Sequence, residues 1–336
     1  MLVSITPELI IEPAFAKAED IDKSIENLIM IQSIIRNGNP LNITKHPELL
    51  ERLCEHGLYP SKAAYSKNLI GSDSFSANDI ARIASNILDS LNTIDDIDFI
   101  IEGDISCTPS IESNLSTNKA LSDLLLVSLI STVKNSKVVC TGYKSHLNTF
   151  SGKADKIIYR ENEEGKADYE IINYQYNTLC ASDIEQILLA FGSDYLYKKS
   201  SSKENYKMAV FSRALEINYN SGGKSRIKLS DFQFGDSFLV SLSRNNCWVE
   251  QRFGSCCFET VARIIADSPK YEIKEFRTSV KQSSSQVISG NYKAFRSHIT
   301  KSAVAIRLML WKDHNGYIQF ANVGTKDELV IADVSD

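Results

Sequence analysis

The first part of the chain has the hydrophobic periodicity of α-helices. Between residues 20 and 36 apolar side chains recur every three or four positions, and the Asn-Gly-Asn-Pro sequence at 37–40 predicts the end of that helix. Residues 47–57 predict a second helix, with proline in its first turn and glycine at its end. Residues 76–91 predict a third helix, with Ser76 as its N-cap. These helices would form a small N-terminal layer.

Beyond residue 95 the pattern changes to short apolar runs that alternate with longer segments. The short runs have the length of buried strands, and the longer segments have helical spacing. A polar stretch with one glycine at 161–165 predicts a hairpin loop. In chain order the predicted elements are a strand at 97–102, a helix at 117–133, strands at 137–143, 156–160 and 168–176, and a helix capped by Ser182.

The C-terminal part mixes both patterns. Residues 237–242 predict a strand, and residues 259–266 predict a helix. The apolar runs 306–311 and 317–323 flank an Asn-Gly pair at 315–316, which is the strongest short-range signal for a β-hairpin.

These elements predict an α/β protein of mixed α+β class. It would have N-terminal helices, a central core of three strands and a helix, and a C-terminal α+β domain that ends in a β-hairpin. The polar stretch 198–205 predicts the main boundary, and a loop within one domain is the alternative that has the same composition. The expected domains are therefore residues 1–95, 96–199 and 206–336.

Composition adds constraints on location and redox state. The chain has 336 residues, no apolar run long enough to span a bilayer, and no basic signal-peptide start, so we expect a cytoplasmic protein without a membrane partner. Its cysteines are odd in number and irregularly spaced, which predicts buried thiols and argues against a disulfide framework or a zinc site. They are Cys54, Cys107, Cys140, Cys180, Cys247, Cys256 and Cys257.

Charge is distributed unevenly along the chain. Residues 1–200 hold 18 Lys/Arg and 28 Asp/Glu, whereas residues 201–336 hold 19 and 14. This asymmetry would let the acidic part bind a protein partner while the basic part binds phosphate.

The strongest basic signal lies between Phe276 and Lys312, where seven Lys/Arg occur without an acid. Arginine holds two phosphate oxygens at once and lysine adds point charge, so this composition predicts a nucleic-acid-binding surface. Three aromatic residues, Tyr292, Phe295 and Trp311, would stack on bases if exposed, although a place in the core is favoured for them. The predicted phosphate-binding residues are Arg277, Lys281, Lys293, Arg296, Lys301, Arg307 and Lys312.

The same segment allows a catalytic alternative. Arg296, His298 and Lys301 precede the predicted hairpin, and the arrangement resembles small RelE-like toxins. In a metal-free ribonuclease of that kind, His298 would act as acid or base and the cations would stabilise the developing charge. The sequence offers no obvious second base to pair with it.

Residues 137–197 resemble the core of a RecB-type PD-(D/E)XK nuclease. The resemblance rests on Gly-Lys-Ala-Asp at 152–155, a strand, a loop, the strand Tyr-Glu-Ile-Ile-Asn-Tyr-Gln at 169–175, and a helix with Glu-Gln-Ile-Leu at 185–188. It implies a metal-dependent nuclease fold in which Asp155 is the first metal ligand and a catalytic residue, with Mg²⁺ as cofactor if the site is active.

The resemblance also implies that the site is depleted. Asn173 stands where that family has its second carboxylate, and Gln175 stands where it has its lysine. Glu102 and Asp104 are candidates to restore the missing carboxylates. No certain cofactor follows from the sequence.

The functional expectation is a nucleic-acid-binding subunit of a larger bacterial assembly, such as a defence or DNA-processing system, with a degenerate nuclease-like domain. The partners would be DNA or RNA and one or more proteins. Two alternatives stay open: an active nuclease, metal-dependent through Asp155 or metal-free through His298, and an adaptor whose basic surface binds an acidic protein.

Overall fold

The structure is a computed structural model of the chain. It describes residues 2–45, 49–55, 57–69, 75–93, 106–108, 138–141, 148–161, 167–181, 183–223, 227–279, 283–301, 305–328 and 330–334. Within 106–180 the description covers the backbone of the strands.

The protein has the mixed α+β class that the sequence predicts, and it divides into two compact units, residues 1–190 and 191–336. The polar stretch 198–205 lies inside the second unit, although the sequence indicated a boundary there. The reason is packing, because Leu196 and Tyr197, just before this stretch, are buried, and the Tyr197 ring stacks on Phe258 at 4.4 Å.

The first unit carries the predicted N-terminal helices, among them α2 and α5, whose predicted bounds are confirmed to within a few residues. Gly38, with a φ of 86°, follows α2, and the Ser76 hydroxyl accepts a hydrogen bond from the Asp79 amide as N-cap of α5. The helices are α1 (Pro7–Phe15), α2 (Ile21–Arg36), α3 (Leu49–Glu55), α4 (Lys62–Ser66) and α5 (Ala77–Ser90).

A mixed sheet joins the N-terminal region to the centre of the chain. Its strands are β1 (Leu2–Ile5), β2 (Ile43–Lys45), β3 (Ser106–Thr108), β4 (Val138–Thr141), β5 (Asn148–Glu161) and β6 (Ala167–Ala181). They lie in the order β2-β1-β4-β6-β5-β3. Because β1 pairs with β2 and β4 in parallel, residues 1–95 and the central segment share one sheet. The sequence did not predict β1 or β2.

The predicted central hairpin is confirmed and is longer than expected. β5 and β6 form one antiparallel ladder from Asn148↔Cys180 to Glu161↔Ala167. The helix α6 (Ile184–Phe191) follows, as predicted. Its described cap is Asp183, whose carboxylate accepts a hydrogen bond from the Gln186 amide at 2.9 Å. The predicted cap Ser182, the strand at 97–102 and the helix at 117–133 lie outside the described residues, as do Glu102 and Asp104.

The second unit packs helices against one face of a second sheet. One sequence prediction is wrong here, because residues 237–242 lie in a helix and not in a strand. Phe238 and Leu242, four positions apart, are both fully buried on one side of that helix. The helices are α7 (Ser193–Lys198), α8 (Lys203–Asn220), α9 (Phe238–Arg244) and α10 (Gly254–Ile265).

The second sheet has the strand order β7-β12-β11-β10-β8, and β9 pairs with β10. The predicted C-terminal hairpin is confirmed as β11 and β12, which are antiparallel. Its loop is not a two-residue turn, since the Asp313 carboxylate accepts hydrogen bonds from the amides of Asn315 and Tyr317, and only Gly316 of the Asn-Gly pair has positive φ. The strands are β7 (Phe232–Phe234), β8 (Lys274–Glu275), β9 (Ile288–Ser289), β10 (Tyr292–His298), β11 (Ile306–Lys312) and β12 (Ile318–Thr325).

The two faces of this sheet have different surroundings. The helical face holds an aromatic core, in which Phe234 stacks on Phe238 at 4.7 Å and contacts Phe320 at 5.7 Å. The opposite face carries a cluster of Phe276, Ala294, Met309, Trp311 and Ala321, against which the C-terminal residues 331–334 pack in part.

The cysteines do not all match the expectation of buried thiols. Cys247 and Cys257 are buried, but Cys54 and Cys256 are exposed.

Among the helices that the structure describes, none is both long and apolar enough to cross a membrane.

Candidate nucleic-acid interface

Three of the predicted phosphate-binding residues, Arg296, Lys301 and Arg307, lie near His298 at one end of the second sheet. Arg296 and His298 are alternate residues of β10 and therefore share a face. On the neighbouring strands, His298 lies opposite Arg307 of β11, and Arg296 lies opposite Lys274 of β8. Lys301, just after β10, is close enough to act electrostatically on His298. We call Lys274, Arg296, His298, Lys301 and Arg307 the basic cluster.

The cluster sits beside the apolar residues of the same face. Arg296 lies opposite Met309, which is buried with Phe276, and its guanidinium is 6.0 Å from the Phe276 ring centroid. Burial first, and then the nearby charges of Arg307 and Arg277, lower the pKa of Arg296. The fold therefore holds a half-buried guanidinium against like charges, an arrangement that an anion would relieve.

Acids flank the acid-free segment on both sides. On the C-terminal side, the Glu328 side chain lies against Gly324, the cross-strand partner of Arg307, and its carboxylate accepts a hydrogen bond from the Val330 amide at 3.0 Å. Arg277 donates to Glu275 at 2.8 Å, and Lys274 forms a pair with Glu272 at 3.1 Å whose side chains are 60% and 75% exposed. Such exposed pairs are weak. Among the described residues, no carboxylate forms an ion pair with Arg296, Lys301 or Arg307. Within the described residues these three cations are therefore not neutralised by an ion pair, and the Arg307 guanidinium donates one hydrogen bond to the Lys326 carbonyl at 3.0 Å.

His298 is half-buried within the cluster. Burial is the largest cause that lowers its pKa, followed by the charge of Arg307, and Lys301 and Lys274 add to the shift, while a hydrogen bond with the Thr300 backbone acts in the opposite direction. Its buried Nδ1 has no hydrogen-bond partner in the described part of the chain. The imidazole is therefore neutral near pH 7.

Tyr271 connects the cluster to the preceding loop. The Lys301 ammonium lies 4.4 Å from its ring centroid, and the Lys270 ammonium lies 5.5 Å away. The ring also meets His298 edge-on at 6.2 Å. These contacts fix the position of Lys301 next to the strand that carries Arg296 and His298.

The structure separates other predicted residues from the cluster. Lys293 and Lys312 are direct partners in the β10–β11 ladder, but they lie an odd number of positions from Arg296 and Arg307 and so belong to the opposite face. Arg277 approaches Arg296 but is paired with Glu275. Lys281 lies outside the described residues.

The aromatic residues of this segment serve mainly the core. Trp311 is 2% exposed, and its indole N–H donates to the Ala332 carbonyl at 2.8 Å. Tyr292 packs in part against the same cluster. The interpretation of Trp311 as a core residue is confirmed, and base stacking on it is excluded by burial.

The residues that carry the nuclease resemblance lie on the central hairpin of the first unit. The ladder of β5 and β6 sets Asp155 directly opposite Asn173 and Lys153 directly opposite Gln175. The two positions that the resemblance assigns to metal-binding carboxylates are therefore neighbours across the hairpin. Gln175, which stands where the nuclease family has its lysine, has Lys153 directly across from it in the ladder.

This pair does not make a good Mg²⁺ site by itself. Mg²⁺ prefers carboxylate and phosphate oxygens, and one aspartate opposite a neutral amide offers a single charged ligand. Where the structure describes side chains, which does not include those of β5 and of β6 up to Cys180, no group of three or more His, Cys, Asp or Glu side chains is arranged to hold a metal ion. We therefore derive no metal-dependent step at Asp155.

Sequence reasoning missed two members of the site. Lys274 precedes the acid-free segment, and Tyr271 lies further upstream, so a count of charges that begins at Phe276 leaves both out. The acidic neighbours Glu272 and Glu275 were left out for the same reason. The alternation of side chains along a strand is a signal that separates Lys293 from Arg296 on the sequence alone.

No protein-family model, curated protein or solved structure matches this chain.

Proposed function

We propose that the second unit binds nucleic acid through phosphate contacts of its basic cluster. The observation that supports the proposal is the convergence of Arg296 and Arg307 on one sheet face, without a carboxylate partner among the described residues. Arginine and lysine at such a surface replace counterions on the phosphates. In this proposal the chain is a subunit of a larger bacterial assembly, and its acidic first unit binds a protein partner.

A charge-reversal experiment tests this function. Arg296→Glu combined with Lys301→Glu is expected to weaken binding to DNA and RNA oligonucleotides at least ~10-fold and to reduce its salt dependence, because two phosphate contacts are lost. The matched control is Lys293→Glu with Lys312→Glu, which makes the same charge change on the other face. Equal losses in both variants would indicate a nonspecific charge effect and contradict the assignment.

The adaptor alternative differs from nucleic-acid binding in what should co-purify with the protein. A basic surface that binds an acidic protein would co-purify with that protein and not with nucleic acid. Mass spectrometry of the purified complex, with and without nuclease treatment, distinguishes the two.

A second candidate function is metal-dependent cleavage by the first unit. It is favoured by the register that sets Asp155 opposite Asn173 and Lys153 opposite Gln175. Cleavage that is abolished by a chelator and by Asp155→Ala would support it. Cleavage that survives both treatments and is lost in His298→Ala would support the metal-free ribonuclease, for which a neutral imidazole among cations is a suitable proton acceptor.

A further inference from the structure

The basic cluster is compact rather than elongated. Its four strand residues lie on β8, β10 and β11, which are adjacent in the sheet. Neighbouring strands are about 5 Å apart, and alternate residues of one strand are about 7 Å apart. Two cross-strand pairs, Arg296 with Lys274 and His298 with Arg307, therefore place the Cα atoms of these residues within an area of about 10 Å by 7 Å.

Along β10 and β11, the other described basic residues do not extend this patch into a path for a nucleic-acid backbone; beyond these strands, Lys270 lies near Lys301 at the Tyr271 ring. Lys293 and Lys312 lie on the opposite face of the same two strands. The apolar cluster of Ala294, Met309 and Trp311 occupies the continuation of the face that carries Arg296. A strand that follows this face from Arg296 towards Trp311 would meet apolar side chains and the C-terminal residues 331–334.

A compact patch suits an anion that carries more than one charge on a single group better than it suits a row of singly charged phosphodiesters. Each internal phosphate of a nucleic acid carries a single charge, and successive phosphates are spread along the strand. A phosphate monoester carries about −1.5 to −2 charges at pH 7 and offers three acceptor oxygens at one point. Arg296 and Arg307, on adjacent strands of one face, and Lys274 beside Arg296 offer the charge and the hydrogen-bond donors that such a ligand requires, and Arg307 keeps N–H groups besides the one that donates to the Lys326 carbonyl.

We propose that Lys274, Arg296 and Arg307 bind the terminal phosphate monoester of a nucleic-acid strand. This inference rests on the proposed nucleic-acid binding and deepens it by naming the strand end as the ligand. Arg296 and Arg307 donate to the monoester oxygens, and Lys274 adds charge from β8. Lys301, held over Tyr271, contacts the adjoining phosphodiester.

End recognition is tested with matched oligonucleotides and the full chain. Single-stranded DNA and RNA of one sequence would be compared with a phosphate at the 5′ end, a phosphate at the 3′ end, or hydroxyl groups at both ends, by fluorescence anisotropy. We expect one phosphorylated end to bind roughly 10-fold to 100-fold tighter than the unphosphorylated strand, as one or two charge-assisted hydrogen bonds would give. The two phosphorylated forms decide which end is recognised.

Paired variants locate the effect. Arg296→Gln with Arg307→Gln is expected to abolish the preference for a phosphorylated end, whereas the control Lys293→Gln with Lys312→Gln is expected to keep it. Thermal unfolding verifies that both double variants are folded. Arg307→Lys, which keeps the charge, is expected to retain part of the preference and serves if the double variant does not fold.

The outcomes separate this inference from the proposed function. If phosphorylated and unphosphorylated strands bind equally well, the end-binding proposal is overturned and nucleic-acid binding stands. If no strand binds, both proposals fail. If the preference survives in the Arg296 and Arg307 variant, the monoester is bound elsewhere and the assignment to this cluster is overturned.

Discussion

His298 and Arg307 are direct cross-strand partners in the β10–β11 ladder of the second unit. Cross-strand partners share a face and lie close together, so a protonated imidazole at His298 would stand next to a guanidinium. Burial and the surrounding charges of Arg307, Lys301 and Lys274 therefore favour the neutral form and lower the pKa of His298.

The stability of the protein should depend on pH through this residue. The folded-state pKa of His298 lies below the unfolded value of about 6.5, so its contribution to stability is fully present above that value and is lost as the pH falls through the lowered folded value. We expect His298→Gln to flatten the loss of unfolding free energy between about pH 7 and mildly acidic pH. Urea unfolding across that range measures it.

The matched control for this prediction is His314→Gln. His314 is exposed in the loop between β11 and β12, away from the basic cluster. Its substitution removes an imidazole but leaves His298, Arg307, Lys301 and Lys274 in place, so it controls for the general effect of losing a histidine. A His298 variant with the same pH profile as the wild type would contradict the proposed environment of the imidazole.

An ion-pair network should stabilise the helices of the second unit. Arg213 of α8 donates to Glu259 of α10 at 2.8 Å and to Glu216 at 2.9 Å, and Arg263 donates to Glu259 at 2.6 Å. Burial acts to raise the pKa of Glu259, but its hydrogen bonds and charge interactions with Arg213 and Arg263 outweigh burial, and the pKa is lowered.

We expect Glu259→Gln to destabilise the protein by about 1–3 kcal/mol at neutral pH, because two guanidinium groups lose their charged acceptor. In the wild type this contribution is present above the unfolded pKa of about 4.3 and is lost as the pH falls through the lowered value. Asp236→Asn is the control, since Asp236 is 87% exposed and lies 3.5 Å from Lys203. Similar losses in the two variants, measured by chemical unfolding, would contradict the network.

Gly254 should tolerate no side chain. It begins α10, and a Cβ atom there would lie 2.1 Å from the Trp248 carbonyl oxygen and 2.5 Å from the Tyr197 hydroxyl. The carbonyl belongs to the backbone and cannot move without shifting its loop. We expect Gly254→Ala to cost about 1–3 kcal/mol in unfolding free energy. The control Cys256→Ala, at an exposed position of the same first turns, should change it by less than about 0.5 kcal/mol.

Much of the fold follows from local patterns. The Ser76 cap predicted α5, and the apolar runs around Asn315 and Gly316 predicted the β11–β12 hairpin. The prediction of a strand at 237–242 is wrong, because four apolar residues among six positions fit a strand and a helical turn equally well. Its identity as α9 depends on packing against β12, which includes the hydrogen bond from the Val323 amide to the Ser241 hydroxyl.

The site was only partly predictable for a related reason. Composition identified Arg296, His298 and Arg307, since cations without acids stand out in a linear count. A count of charges carries no information on strand register. It therefore grouped Lys293 with Arg296 and Arg307, although the alternation of side chains along β10 places Lys293 on the other face of the sheet. It also omitted Lys274, which reaches Arg296 only through the pairing of β8 with β10.

The C-terminal residues should be held to the sheet by Asn322 of β12. The Asn322 carboxamide accepts from the Ala332 amide at 2.9 Å and donates to the Val330 carbonyl at 3.3 Å, and the Trp311 indole donates to the Ala332 carbonyl. Asn322→Ala removes the first two bonds, worth about 1 kcal/mol each. We expect faster amide hydrogen exchange at Ala332 and altered Trp311 fluorescence, with Asn315→Ala, in the exposed hairpin loop, as an unaffected control. If exchange at Ala332 is unchanged in the Asn322 variant, the apolar contacts of residues 331–334 hold this segment without the carboxamide.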